Sequence, residues 1–178
     1  MRIISGLRRG FQLKTPEGLH TRPTTDRVKE SLFNIIQFHL PCDAVLDLFS
    51  GSGALGIECL SRRCTHCTFV DNDPTSYSVI QENLQNARLL ASAALYRQNV
   101  QDFLSRCDQH FDLILMDPPY NRGHMKPALT LIHQRGLLKK GGLIVAESEK
   151  NGETVDDTYY TVRRTATYGK TVLTILQG

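Results

Sequence analysis

Three glycines and two acids in "DLFSGSGALGIECLSRRCTHCTFVD" are the first residues of this chain whose spacing implies chemistry. Gly51, Gly53 and Gly56 form G-x-G-x-x-G, and Asp71 lies about twenty residues beyond Gly51, as in a dinucleotide-binding fingerprint. Gly51 and Gly53, with Ser52 between them, let the backbone approach a ligand closely. The helix opening near Ala54 turns its first amides toward a carboxylate or phosphate. Asp71 can accept hydrogen bonds from both hydroxyls of a ribose. These features suit NAD and S-adenosylmethionine equally. Asp47 separates the two: a pyrophosphate-binding loop stays apolar there because an acid repels phosphate, whereas a carboxylate suits a cofactor carrying an ammonium group. The loop therefore leans toward methyl transfer.

A second cluster decides between them. "LILMDPPYNRG" sets Asp117, Pro118, Pro119 and Tyr120 at the end of an apolar strand. D-P-P-Y in that position resembles motif IV of the amino-group methyltransferases. An exocyclic amine on a base is a poor nucleophile because its lone pair is delocalised into the ring. If the Asp117 carboxylate and the Pro118 carbonyl both accept from the NH2 group, they favour a pyramidal nitrogen with its lone pair aimed at the methyl carbon. The prolines carry no amide donor to compete and stiffen the loop. Tyr120 offers a flat face for an extruded base.

The elements that must position these residues follow a regular alternation. "RIIS" and "FQLKT" flank "GLRRG" as a short hairpin. A helix is predicted from Thr24 or Thr25 to about Phe38, ended by Pro41. Then come "AVLDLF" (strand), "GALGIECLSRR" (helix), "HCTFVD" (strand) and a helix opened by Pro74. A third strand within "ASAALYRQ", a short helix "VQDFLSRC", the strand "FDLILMD", the helix "KPALTLIHQRG" and the strand "GGLIVAES" complete the run. Strands buried on both faces and separated by helices predict an α/β, doubly wound parallel sheet. "TYYTVRRTAT" and "KTVLTILQG" read as a closing antiparallel pair. The expectation is one domain of 178 residues, with 1–23 as a basic hairpin appendage and 24–178 as the catalytic core.

The net charge of +3 is unevenly spread: residues 1–29 hold seven basic side chains against Glu17 and Asp26. A basic arm on a slightly acidic body points to a polyanionic partner. The five cysteines lack the pairing of a disulfide framework, and the lone C-x-x-C of Cys64 and Cys67 lacks the second ligand pair of a zinc site, so no metal is implied. With no apolar run long enough to cross a bilayer and no signal-peptide h-region at the start, the expected address is cytoplasmic, without a membrane partner.

With the motifs placed, the chain as a whole resembles the bacterial small-subunit (16S) ribosomal RNA guanine-N2 methyltransferases. The likeness runs through "RPTTDRVKESLFN", its most discriminating part, then "DLFSGSGALGIE", "VDND", "DPPY" and "YGKT". It implies a Rossmann-like class I methyltransferase sheet of about seven strands with the last one antiparallel, S-adenosylmethionine as cofactor, and the guanine N2 amine as target. Carried over by position, Asp47, Gly51 and Gly53 would hold the methionine portion and Asp71 the ribose. Arg22 and Thr24 would lie near the cofactor's carboxylate. Asn99 stands where relatives often have Asp beside the adenine, which leaves that contact open between Asn99 and Asp102. Arg8, Arg9, Arg22, Arg122 and Lys170 are expected on phosphates of small-subunit RNA, free or within the subunit. Two other readings use the same motifs: a DNA adenine-N6 methyltransferase, and an RNA-binding assembly factor that keeps the cofactor pocket without turnover. An NAD dehydrogenase is more distant.

Overall fold

The computed structural model describes residues 1–16, 26–119, 123–152, 155 and 158–178. Its elements are α1 (Asp26–Ile35), β1 (Ala44–Leu48), α2 (Ala54–Ser61), β2 (His66–Asp71), α3 (Pro74–Asn86), β3 (Ala93–Arg97), α4 (Val100–Arg106), β4 (Phe111–Met116), α5 (Met125–Gln134), β5 (Leu138–Glu149), β6 (Thr161–Tyr168) and β7 (Thr171–Gln177). Seven strands form one sheet in the order β3-β2-β1-β4-β5-β7-β6. β1 to β5 pair in parallel, and β7 runs antiparallel to both β5 and β6. Among the described residues no helix is long and apolar enough to cross a membrane.

The apolar runs become strands because both faces are covered. Alternation along β1 and β4 sends Val45, Leu113 and Leu115 into a layer with α1, α2 and α3, and Leu46, Leu48, Ile114 and Met116 into a layer with α4 and α5. α3 opens as the sequence predicts, with Pro74 in its first turn and the Asp73 carboxylate accepting from Ser76 N at 2.8 Å. Two boundaries differ. α1 stops at Ile35 and the chain tightens into a 3-10 turn over Gln37–His39. β5 begins at Leu138 rather than at the glycines, because Leu138 already pairs with Phe111 before the chain bulges and resumes at Leu143 opposite Leu113.

The N-terminal arm is a narrow hairpin outside the sheet. Ile3 N donates to Phe11 O (2.9 Å), Gly10 N to Ile3 O (2.8 Å) and Leu13 N to Met1 O (2.8 Å). A carboxylate inside α2 docks it: Glu58, fully buried, accepts from Ile4 N (2.8 Å), Ser5 N (3.0 Å) and Arg62 Nε (2.9 Å). Its charge is matched by the equally buried Lys29 of α1, 3.4 Å away, which also donates to Arg2 O. Burial lowers the pKa of Lys29, opposed by the Glu58 charge.

Gly56 sets the distance between α2 and the sheet. A Cβ there would lie 2.4 Å from Phe69 Cε1 and 2.7 Å from Cys67 Sγ, both on β2. Gly56→Ala is expected to destabilise the protein by about 1–3 kcal/mol through overpacking. Urea unfolding of the variant against the parent measures it, and a loss below about 0.5 kcal/mol would show that the helix can move off the sheet.

Candidate active site

The glycine loop leaves β1 through a run of left-handed backbone: Phe49 has φ 59°, Gly51 56° and Gly53 75°. Gly53 needs that freedom because it is the N-cap of α2, and a Cβ on it would press on Ile57 and Ile80 at 3.3 Å. Gly51 differs, since a Cβ there would meet only Phe49 O, at 4.0 Å, so the space above it is open. Ser50 locks the base of the loop: its hydroxyl donates to Asp47 O (2.6 Å) and accepts from Val70 N (3.1 Å), tying β1 to β2. Ser52 O accepts from Asn83 Nδ2 of α3 at 3.0 Å.

Asp71 holds the loop from the neighbouring strand. Its Oδ2 accepts from Gly51 N at 2.8 Å and its Oδ1 from Asp73 N at 2.9 Å. A carboxylate offers about four lone-pair positions, so these two bonds do not exhaust what Asp71 can accept from a ligand hydroxyl. Burial raises its pKa, opposed by those amides. Asp47, 2% exposed, faces the same side, with Oδ2 accepting from Gly56 N at 2.9 Å. Burial pushes its pKa up to about 8, against the pull of the Gly56 amide and reinforced by the charge of Asp71. One amide in the first turn of α2 is thus engaged by an acid of the protein itself.

β4 ends beside this loop. Leu48 of β1 pairs with Met116, so Asp117 and the buried Pro118 follow at the strand end, next to the β1 exit. Met116 also pairs with Ala146, which sets Glu147 of β5, 2% exposed, on the rung next to Asp117. Sequence reading missed Glu147, since an acid inside "LIVAESE" carries no motif; only the strand register brings it here. It also missed Phe49, whose ring contacts His124 from the β4–α5 connection at 5.6 Å between centroids.

The expected cofactor residues Asp47, Gly51, Ser52, Gly53 and Asp71 are therefore gathered at the ends of β1 and β2, with Asp117, Pro118 and Pro119 on the adjoining strand end. Asn99 lies at the start of α4 and caps it, its Oδ1 accepting from Gln101 N at 2.8 Å; Asp102 is in that helix's first turn. Tyr120, Arg22, Thr24 and Arg122 lie outside the described residues. The basic arm needs correction. Lys29 is buried on Glu58, Arg2 pairs with Asp26 and Lys14 with Glu82. Arg8 donates through Nε to Ala87 O at 2.6 Å. These partners are distant in sequence, which is why composition could not reveal them. The turn carrying Arg8 and Arg9 is bonded to Ser61, at the end of α2 remote from the glycine loop. Lys170, by contrast, sits between β6 and β7 at the same end of the sheet as the site, its carbonyl accepting from Lys150 N. Among the described residues no group of three or more His, Cys, Asp or Glu is arranged to hold a metal.

A parallel sheet with one reversed strand, an acid-flanked glycine loop and a D-P-P strand end on neighbouring strands define the class I methyltransferase architecture. Within it, the chain belongs to the family described as Conserved hypothetical protein 95, whose model matches residues 1–177. A Bacillus subtilis (strain 168) protein named "Putative rRNA methyltransferase YlbH" is 42% identical over 181 residues, 98% of this chain and 97% of that protein. "Ribosomal RNA small subunit methyltransferase D" of Haemophilus influenzae is 36% identical over 172 residues, covering 95% of this chain and 89% of its own. The solved structure of "Putative methyltransferase yhhF from Escherichia coli" superposes with a TM-score of 0.88 at 34% identity, over 99% of this chain and 97% of that one.

The raised pKa of Asp47 has a measurable consequence. Its folded-state value of about 8 exceeds the unfolded value of 3.8, so between those pH values the folded protein binds more protons and its stability falls as pH rises. Asp47→Asn removes that dependence. The melting temperature of the variant relative to the parent is expected to shift in the variant's favour from about pH 5 to about pH 8 and level off above. A difference flat with pH would mean that Asp47 is ionised throughout.

Proposed function

We propose that this protein transfers a methyl group from S-adenosylmethionine to the exocyclic N2 amine of a guanine in small-subunit ribosomal RNA. The observation that carries the proposal is the juxtaposition, on adjacent strands, of an acid-lined glycine loop and the Asp117–Pro118–Pro119 strand end. The names of the matched relatives, rRNA and small-subunit rRNA methyltransferases, give the substrate class.

The donor set fits that cofactor. The open space over Gly51 admits a ligand against the backbone, and Asp71 has lone pairs left for two ribose hydroxyls. Asp47 suits an ammonium group, whose arrival favours the ionised carboxylate. It disfavours NAD because its carboxyl group already takes the Gly56 amide, one of the helix N-terminal donors that a pyrophosphate would use. When bound, S-adenosylmethionine supplies an electrophilic methyl on a positive sulfonium. The chain's own work is positioning. Asp117 and the Pro118 carbonyl accept from the N2 amine and hold its lone pair in line, while Pro119 contributes stiffness and Tyr120 a stacking face. Arg22 and Thr24 serve the carboxylate end of the cofactor. Asn99 or Asp102 serves the adenine end.

Incubation with labelled S-adenosylmethionine and unmodified small ribosomal subunits, with duplex DNA in parallel, followed by nucleoside analysis, tests this. Label is expected in N2-methylguanosine, and Asp117→Ala is expected to lower the rate about a hundredfold or more with cofactor binding intact. Label in N6-methyladenine of DNA would overturn the substrate. Saturable cofactor binding without label in any nucleic acid would overturn catalysis and leave an assembly factor.

A further inference from the structure

Three turns meet at the end of the molecule opposite the site. The arm's turn seats on the last residues of α2, with Leu7 N donating to Ser61 O (2.7 Å) and Arg8 N to Ser61 Oγ (3.0 Å). The approach is so close that a Cβ on Gly6 would fall 1.9 Å from Ser61 O. Arg8 Nε reaches Ala87 O, the last turn of α3, at 2.6 Å. These bonds gather Arg8, Arg9, Arg62, Arg63 and Arg88 from 80 residues of chain onto one face. Glu58 beneath them is fully buried and already bonded to Arg62, Lys29 and two amides. Arg9, Arg63 and Arg88 are exposed, and none has an ion-pair partner among the described residues.

Two of them stand where a side chain is disfavoured. Arg63 (φ 74°) and Arg88 (φ 57°) end α2 and α3 in left-handed conformation, the position that glycine ordinarily fills. A cation near a helix C-terminus gains from the dipole, but glycine would relieve the strain. At the same end of the sheet Phe38 is 89% exposed, on the turn leading toward Cys42, whose carbonyl accepts from Thr65 N two residues past Arg63.

We propose that this face is a second contact for RNA: its arginines take phosphates of a folded ribosomal RNA while Phe38 stacks on an unpaired base, with the target guanine at the other end. The inference rests on the RNA methyltransferase reading above and extends it to the size of the substrate. Guanidinium forks match phosphate oxygens, and an exposed aromatic at the same end of the molecule as a group of arginines suits base stacking beside backbone neutralisation. β2, His66–Asp71, separates this face from the glycine loop by about 17 Å of strand. A substrate touching both therefore presents phosphates at least that far from the target base, and a small subunit places more of them there than a short stem-loop does.

The test compares the parent with the triple variant Arg9→Gln/Arg63→Gly/Arg88→Gly. Binding is measured to unmodified small subunits, to a short target stem-loop and to phosphatidylserine vesicles across a salt series, beside thermal melting and labelled-cofactor binding. Cofactor binding is expected to be unchanged and the melting temperature equal or higher, which a structural role for these arginines would not give. Affinity for small subunits is expected to fall about tenfold or more near 0.15 M salt, and the slope of log affinity against log salt to become shallower by about two to three. The stem-loop, with fewer phosphates in reach, is expected to lose less affinity than the small subunit. Unchanged affinity and slope on small subunits overturn the proposal, as does a loss confined to vesicles. If the parent methylates no nucleic acid yet the variant loses subunit binding, the enzymatic reading fails and this surface stands.

Discussion

The reversal of winding between β1 and β4 is the constraint from which the rest of the structure follows. Right-handed crossovers carry the chain from β1 to β2 to β3 in one direction with α2 and α3 on one face, then from β4 to β5 in the other direction with α5 on the opposite face. No crossover joins β1 to β4, so the connections leaving their ends diverge, and among the described residues no helix joins the two strand ends. Adjacency in the sheet does the rest. The register Leu48↔Met116 sets the glycine loop beside Asp117, and Met116↔Ala146 sets Glu147 on the far side of it, although these residues are distant in sequence.

A second set of interactions fixes the arm to this frame. Burying Glu58 and Lys29 together is costly unless every donor and acceptor is met, and the arm's own amides at Ile4 and Ser5 complete the set. The arm is thus needed to satisfy α2, and α2 in turn fixes the arm's direction. A chain of hydrogen bonds carries the arrangement to the site: Lys14 N donates to Asn83 Oδ1, and Asn83 Nδ2 donates to Lys14 O and to Ser52 O of the glycine loop. Arm, α3 and loop share one side chain, so displacement of the arm would be felt where the cofactor is expected.

What could be read from the sequence was what is local. The strands were legible because apolar runs such as "FDLILM" and "LIVA" bury on both faces, and the glycine loop because its spacing encodes a backbone turn. The end of α1 and the start of β5 were less so. Ile36 continues the helical spacing while the backbone has already tightened, and Leu138 joins the sheet only because Phe111 is opposite it. Charge was the least legible property. Lys29 looks like one cation in a basic arm, yet it is wholly buried against a carboxylate 29 residues away. Arg63 and Arg88 were not singled out because their grouping depends on the bonds of Ser61 and Ala87 to the arm's turn.

The mouth of the site gathers Asp47, Asp71, Asp117 and Glu147, while the opposite face gathers arginines. A mouth lined by acids favours a cationic cofactor, and the pKa of Asp47 is raised there first by its burial and then by the charge of Asp71. It also repels phosphate. On the proposed reading the mouth must admit a polyanion's base without the backbone that carries it. A base extruded from its stack meets that condition, because the guanine edge is neutral and presents N–H donors to carboxylates. The electrostatic cost of bringing RNA to such a site falls on its phosphates, and cations placed away from the acids, Arg9, Arg63 and Arg88 among them, offset part of it. The choice of an amine on an extruded base is then a consequence of one acidic pocket.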